Sequence, residues 1–223
     1  MLADRLTGID ETNRSSYFFL DEDDRCLFFG EFHVGKGWSG GPTNQLISNY
    51  KRTPSEIAAS HNAGKLQYYK DTAVSEIAAG LRRQFSPQDI NVKYTFVPVP
   101  GSKIVGDPDY CDRLAKTLRA AFLPFGAADI RQLLRVTQST EADHRSGGGR
   151  LRYEELLAIT ELDRAQLARR LREVVVLFDD VLTSGKHYKV AKTRIREGFP
   201  NQPILGIFVA RAIHRNPFEE FAF

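Results

Sequence analysis

Five consecutive apolar residues, Val174-Val175-Val176-Leu177-Phe178, run directly into two adjacent carboxylates, Asp179 and Asp180. A short unbroken apolar run rich in β-branched side chains is the pattern of a strand covered on both faces, which parallel sheets require. Such a strand needs helices above and below it, and the flanking segments supply them. Tyr110 to Phe122 places Leu114, Leu118 and Phe122 on one helical face. Tyr188 to Glu197 reads as a helix stopped by Gly198 and Pro200. Val92 to Val99, Ile130 to Val136 and Ile204 to Ala210 read as further strands. Strands alternating with helices predict an α/β protein, a parallel sheet flanked by helices, over residues 90–223.

Residues 1–89 read differently, as a mixed α+β flap over that core. Tyr17 to Leu20 and Cys26 to Phe29 surround Asp21-Glu22-Asp23-Asp24, which predicts a β-hairpin. A short helix is expected in Thr43 to Arg52, and another opens at Thr53-Pro54-Ser55-Glu56, with Thr53 as cap and Pro54 at the first helical position. Asp71 to Gln84 carries Val74, Ile77 and Leu81, with Phe85 beyond, at helical spacing. With 223 residues the chain accommodates one sizeable core or a domain with a modest subdomain.

Composition narrows the function classes. Lys and Arg number 31 against 28 Asp and Glu, a net charge of +3, too balanced for a dedicated nucleic-acid or membrane-surface binder. No apolar run reaches the ~18 residues needed to span a bilayer, and MLADRLTGIDETNRSS has no signal-peptide core. Cys26 and Cys111 match no metal or disulfide spacing, so a cytoplasmic protein is expected.

The chemistry is expected after the apolar run. Ligands of open α/β sheets bind outside the carboxyl ends of the strands. There the loop Thr183-Ser184-Gly185-Lys186-His187 opens a helix, whose unpaired N–H groups and positive dipole end suit phosphate. Two hydroxyls and a glycine let the backbone wrap an anion closely. The carboxylates suit sugar hydroxyls, or a divalent cation reached through water. A phosphate end beside a polyol-binding acidic pair describes a ribose 5-phosphate.

Strand, Asp-Asp, two apolar residues, Thr-Ser-Gly, helix: this order resembles the 5-phosphoribosyl-1-pyrophosphate (PRPP) signature of type I phosphoribosyltransferases. The resemblance implies that Asp179 and Asp180 contact the ribose hydroxyls, and hold Mg²⁺ indirectly through water. It implies that Thr183, Ser184, Gly185, Lys186 and His187 wrap the 5-phosphate. The family commonly has a small residue and then Thr where this chain has Lys186 and His187. Phe96-Val97-Pro98-Val99-Pro100-Gly101-Ser102-Lys103 is similar to the family's pyrophosphate loop, implying that Ser102 and Lys103 bind pyrophosphate. Its wording is nearest the ComF-like members, as is Leu134-Arg135-Val136-Thr137-Gln138 followed by Arg145, which makes Arg135 a catalytic candidate beside Lys103, Asp179 and Asp180. The polar, Gly-rich stretch Thr137 to Arg150 falls where the family keeps a flexible catalytic loop. The resemblance covers residues 90–212. It implies Mg²⁺-dependent transfer of a 5-phosphoribosyl group from PRPP to a nitrogenous acceptor that the sequence does not identify.

A second reading is a non-catalytic PRPP- or nucleotide-binding sensor, as a homodimer or a subunit of a larger competence- or defence-type assembly. A third is a nucleotide-dependent oxidoreductase, since Gly35-Lys36-Gly37-Trp38-Ser39-Gly40 matches G-x-G-x-x-G, but Pro42 follows and no well-placed acidic residue completes the fingerprint. Gly30 to Lys36 fits G-x-x-x-x-G-K, but Gly37 stands where a hydroxyl is needed. The histidines form no metal set. Trp38 reads as a core residue, and Arg164, Arg169, Arg170 and Arg172 as a solvated helix face.

Overall fold

The structure, a computed structural model, describes residues 2–140 and 151–214. The run Val174–Phe178 lies within a nine-residue strand at the middle of a six-stranded sheet. In chain order the elements are β1 (Thr7–Gly8), β2 (Arg25–His33), α1 (Pro42–Tyr50), α2 (Pro54–Ala58), α3 (Ala63–Arg82), α4 (Pro87–Val92), β3 (Tyr94–Pro98), α5 (Arg113–Phe122), β4 (Asp129–Ile130), β5 (Leu134–Val136), α6 (Tyr153–Ile159), β6 (Thr160–Leu162), β7 (Val174–Leu182), α7 (Lys186–Gly198) and β8 (Ile204–Ile213). Four short 3-10 turns complete them among the described residues. The large sheet is ordered β1-β2-β8-β7-β3-β4, parallel except for β1. β5 and β6 form a separate antiparallel ribbon.

Two apolar clusters cover the two faces, as a buried parallel sheet requires. Val176 and Phe178 of β7 join Leu46, Ile47 and Tyr50 of α1, Ile77 and Leu81 of α3, and Leu114, Leu118 and Phe122 of α5. Val175 and Leu177 join Tyr188, Ala191 and Ile195 of α7, with Tyr17 and Leu20. The predicted α/β class therefore stands, as a mostly parallel sheet flanked by helices.

The N-terminal third departs from expectation. Tyr17–Leu20 is not a strand and forms no hairpin. Its backbone instead lies along the start of α7, where the Phe19 N–H donates to the Ser184 carbonyl at 3.0 Å. Residues 25–33 form one long strand that pairs in parallel with β8, from Arg25↔Leu205 to His33↔Ile213. The cause is two-sided apolarity: Phe28 feeds the α7 cluster and Phe29 the opposite one, which only an interior position satisfies. The segment expected as a flap thus supplies two strands of the sheet, and the boundary expected at residue 89 falls within α4.

Local signals fare better. α2 has the full capping box: the Thr53 Oγ1 accepts from the Glu56 N–H at 3.2 Å and the Glu56 carboxylate from the Thr53 N–H at 2.8 Å. Ile130–Val136 divides into β4 and β5, because Arg131 turns inward. Its guanidinium binds the Asp129 carboxylate and the carbonyls of Gln166, Arg169 and Arg170. Residues 169–172 are not helical, and Arg172 is half-buried, donating to the Ile90 and Ala127 carbonyls. Trp38 is 53% exposed and outside the core. No helix among the described residues is long and apolar enough to cross a membrane.

Candidate functional site

Asp179 and Asp180 lie inside β7, which continues to Leu182, rather than at a solvent-facing strand end. Successive strand residues face opposite sides, so the two acids part company. Asp180 follows Val176 and Phe178 toward α1 and α5. It is 5% exposed, with the Lys51 ammonium at 3.1 Å from Oδ1 and the Arg113 guanidinium bonded to Oδ2. Lys51 immediately follows α1 and Arg113 opens α5. The Arg113 guanidinium also lies over the Tyr50 ring at 5.7 Å, and the Tyr50 hydroxyl shares a 2.7 Å hydrogen bond with Thr117. Burial alone would raise the Asp180 pKa, but Lys51 and Arg113 outweigh it and hold the carboxyl well below the ordinary range.

Asp179 follows Val175 and Leu177 to the α7 face. It is half-buried and its Oδ1 accepts from the Asp180 N–H at 2.7 Å. Burial, then the charge of Asp180, raises it to about 6, against the lowering influence of His187. One acid is clamped by two cations that lower its pKa, while the other, on the α7 face, has its pKa raised.

The loop Thr183 to His187 turns from β7 into α7 through a left-handed glycine. Gly185 caps α7 with φ +82°, a conformation that costs residues with a Cβ about 1–2 kcal/mol. Thr183 and Ser184 are half-buried, and α7 begins at Lys186. An added Cβ at Gly185 would meet the Leu20 Cδ2 at 2.8 Å, so packing from residues 17–20 as well as φ demands glycine here. Lys186 does not aim its ammonium into the loop: Nζ donates to the Leu151 carbonyl, fastening residue 151 to the start of α7. His187 is half-buried beside a void of about 10 Å³ lined also by Val99, Pro100, Val136 and Val190.

The expected pyrophosphate loop follows β3 directly. Ser102 and Lys103 are half-buried. The Ser102 carbonyl accepts from the Thr140 N–H at 2.7 Å, and the Lys103 Nζ lies 4.0 Å from Asp107. Asp107 also accepts from the Ser139 hydroxyl, and Asp109 from the Ser55 N–H at 3.0 Å. The loop is thus tied to α2 on one side and to residues 139–140 on the other. The rest of the expected catalytic loop, including Arg145 and Gly147–Gly149, lies outside the described residues. Arg135 is not brought to the acid pair by any bond in the structure; it sits on the β5–β6 ribbon, 62% exposed, bonded to Glu161 at 2.7 Å.

Mg²⁺ is normally held by one or two carboxylates with water and substrate phosphates. Asp179 fits such a role; Asp180 does not, because Lys51 and Arg113 occupy its oxygens. Among the described residues no three His, Cys, Asp or Glu side chains converge on a metal position. A groove of about 460 Å³ opens among Glu11, Arg14, Ser15, Tyr17, Phe18, Leu20 and Glu22 and includes none of the expected site residues.

Lys51 and Arg113 were not anticipated. Arg113 left one sequence signal: a cation at the first helical position opposes the helix dipole and implies an acid elsewhere. No family model matches the chain, and no curated protein matches it in sequence.

Proposed function

We propose that the protein is a cytoplasmic phosphoribosyltransferase of type I architecture, transferring the 5-phosphoribosyl group of PRPP to a nitrogenous acceptor with release of pyrophosphate. The observation that carries this reading is the passage from β7 through Gly185, at φ +82°, into α7, with Asp179 on the same face of the sheet. In this reading the backbone N–H groups at the start of α7 receive the 5-phosphate and Asp179 accepts from a ribose hydroxyl. Ser102 and Lys103 meet the pyrophosphate. Asp180 acts through position, holding Lys51 and Arg113 at the edge of the site. The acceptor nitrogen attacks C1 as the C1–O bond to pyrophosphate breaks, through an oxocarbenium-like transition state, so charge placement dominates over covalent catalysis. Mg²⁺, when bound, neutralises pyrophosphate charge.

Calorimetry of PRPP with Mg²⁺ tests it. The wild type should bind, and Asp179→Asn should weaken binding about tenfold or more, the weight of one charge-assisted hydrogen bond. A folded wild type that does not bind PRPP overturns the assignment. A second reading is a PRPP-binding sensor acting as a homodimer or within a larger complex, since the bonds of Arg135, the expected catalytic arginine, run to Glu161 on the β5–β6 ribbon and not to the acid pair. PRPP binding without pyrophosphate release, across a panel of purine and pyrimidine bases, would select the sensor.

A further inference from the structure

A nucleophile and a buried amine meet beside the cations that hold Asp180. Lys70, on α3, is 8% exposed, and its Nζ donates to two acceptors: the Arg52 carbonyl at 2.6 Å and the Cys111 Sγ at 3.0 Å. Cys111 is half-buried and reduced, two residues before Arg113. Arg52 directly follows Lys51. The pair therefore bridges α3 to both segments that deliver a cation to Asp180.

The environment suits reaction at sulfur. Burial alone would raise the Cys111 thiol, but the Lys70 hydrogen bond and the Arg113 charge outweigh it and hold the pKa below the usual value. Thiolate is the form that attacks peroxides. Cys26 is the internal contrast: it is 1% exposed, and burial pushes it up to about 12. A lysine that merely filled space would not need its ammonium against sulfur, and its burial there costs hydration.

We propose that Cys111 and Lys70 form a peroxide-responsive modification site in which oxidation of Sγ is followed by a covalent Sγ–Nζ bond. In the first step the thiolate attacks one oxygen of hydrogen peroxide; the O–O bond breaks, sulfur loses two electrons to the oxidant, and sulfenic acid and hydroxide form. In the second the Lys70 nitrogen, after giving a proton to solvent, attacks sulfur. The S–O bond breaks, water leaves with a second proton from nitrogen, and a sulfenamide joins the side chains. A thiol such as dithiothreitol reverses it: two thiols become a disulfide, returning Cys111 and Lys70. The bond would tie α3 to the approach to α5 and remove the Lys70 charge. It does not depend on what the site at Asp179 binds.

The test uses the full-length wild type in native buffer with a few equivalents of hydrogen peroxide, followed by digestion and mass spectrometry. The expected product joins the Lys70 and Cys111 peptides at the sum of their masses less two hydrogens, is absent without peroxide, and is cleaved by dithiothreitol. Cys111 should react about tenfold or more faster than Cys26. In Lys70→Arg, which keeps the cation but lacks the primary amine, Cys111 should instead be trapped by dimedone as sulfenic acid. Wild-type Cys111 recovered only as thiol, or only as sulfinic or sulfonic acid with no joined peptide, overturns the proposal.

Discussion

The two faces of β7 treat neighbouring, chemically identical residues differently. Toward α1 and α5, Asp180 is buried and held by Lys51 and Arg113; toward α7, Asp179 is half-buried, and burial with the charge of Asp180 raises its pKa. The difference comes from what the helices present. α1 and α5 bring cations to the sheet, whereas α7 brings its N-terminus and His187. An adjacent acidic pair in an extended strand is thus two environments, one clamped by two cations and one whose carboxyl burial and its neighbour's charge push up.

The clearest way to break this comparison is to remove a cation from the Asp180 face. Arg113→Met leaves a buried carboxylate with Lys51 as its remaining charged partner, and loss of one member of a buried pair costs about 3–5 kcal/mol. Urea unfolding at pH 7 should show that loss. Arg113→Met combined with Asp180→Asn should recover part of it, since the unbalanced charge is gone. A loss below about 1 kcal/mol for the single variant would place Asp180 with the solvated acids and erase the distinction.

On the α7 face the largest effect should come from Gly185. Gly185→Val forces a β-branched residue to φ +82° and drives its Cβ to 2.8 Å from the Leu20 Cδ2, together costing about 2–4 kcal/mol of stability. The two contributions separate. Leu20→Ala in the same chain should restore the steric part and leave about 1–2 kcal/mol of backbone cost. If Leu20→Ala restores nothing, the loop is held by its own conformation alone.

Much of this architecture was legible locally, and what escaped is non-local. The apolar run of β7, the Leu114–Leu118–Phe122 stripe of α5, the Thr53 capping box and the Gly185 turn are each encoded within a few residues. The partnership of β2 with β8 joins positions about 180 apart, such as Glu31 and Arg211; nothing in Cys26–Phe29 distinguishes it from a hairpin arm except two-sided apolarity. The division of the acids was implicit in strand alternation. The cations that make it matter, Lys51 and Arg113, come 129 and 67 residues away from Asp180.

The titration of Asp179 sharpens the comparison with a change of opposite sign. Its folded pKa is raised from an ordinary value near 3.8 to about 6, so between those values the folded state binds more protons than the unfolded one. Stability therefore falls as pH rises from about 4 to about 6, the reverse of a salt-bridged carboxylate. Asp179→Asn removes that liability and should stabilise the protein at pH 7 by on the order of 2 kcal/mol, with no advantage below pH 4. Melting temperatures of both proteins across pH 4–7 check it; parallel curves would mean that Asp179 is an ordinary solvated acid.

The smallest effect should come from another arginine–carboxylate pair, in an exposed setting. Arg135 and Glu161 are register partners on the β5–β6 ribbon, bonded at 2.7 Å but 62% and 44% exposed. The geometry rivals that of Arg113 with Asp180. Water, however, screens both charges and solvates either one left alone, so the coupling should be no more than about 0.5 kcal/mol. A double-mutant cycle with Arg135→Ala and Glu161→Ala, unfolded in urea at low and at high salt, measures it. Raised salt should reduce even that small coupling, while the Arg113–Asp180 cycle in the same buffers should barely respond. A coupling above about 1.5 kcal/mol at Arg135 would show that burial is not what separates the two pairs. A fall of tenfold or more in pyrophosphate release in Arg135→Ala would place Arg135 in the proposed site despite its pairing with Glu161.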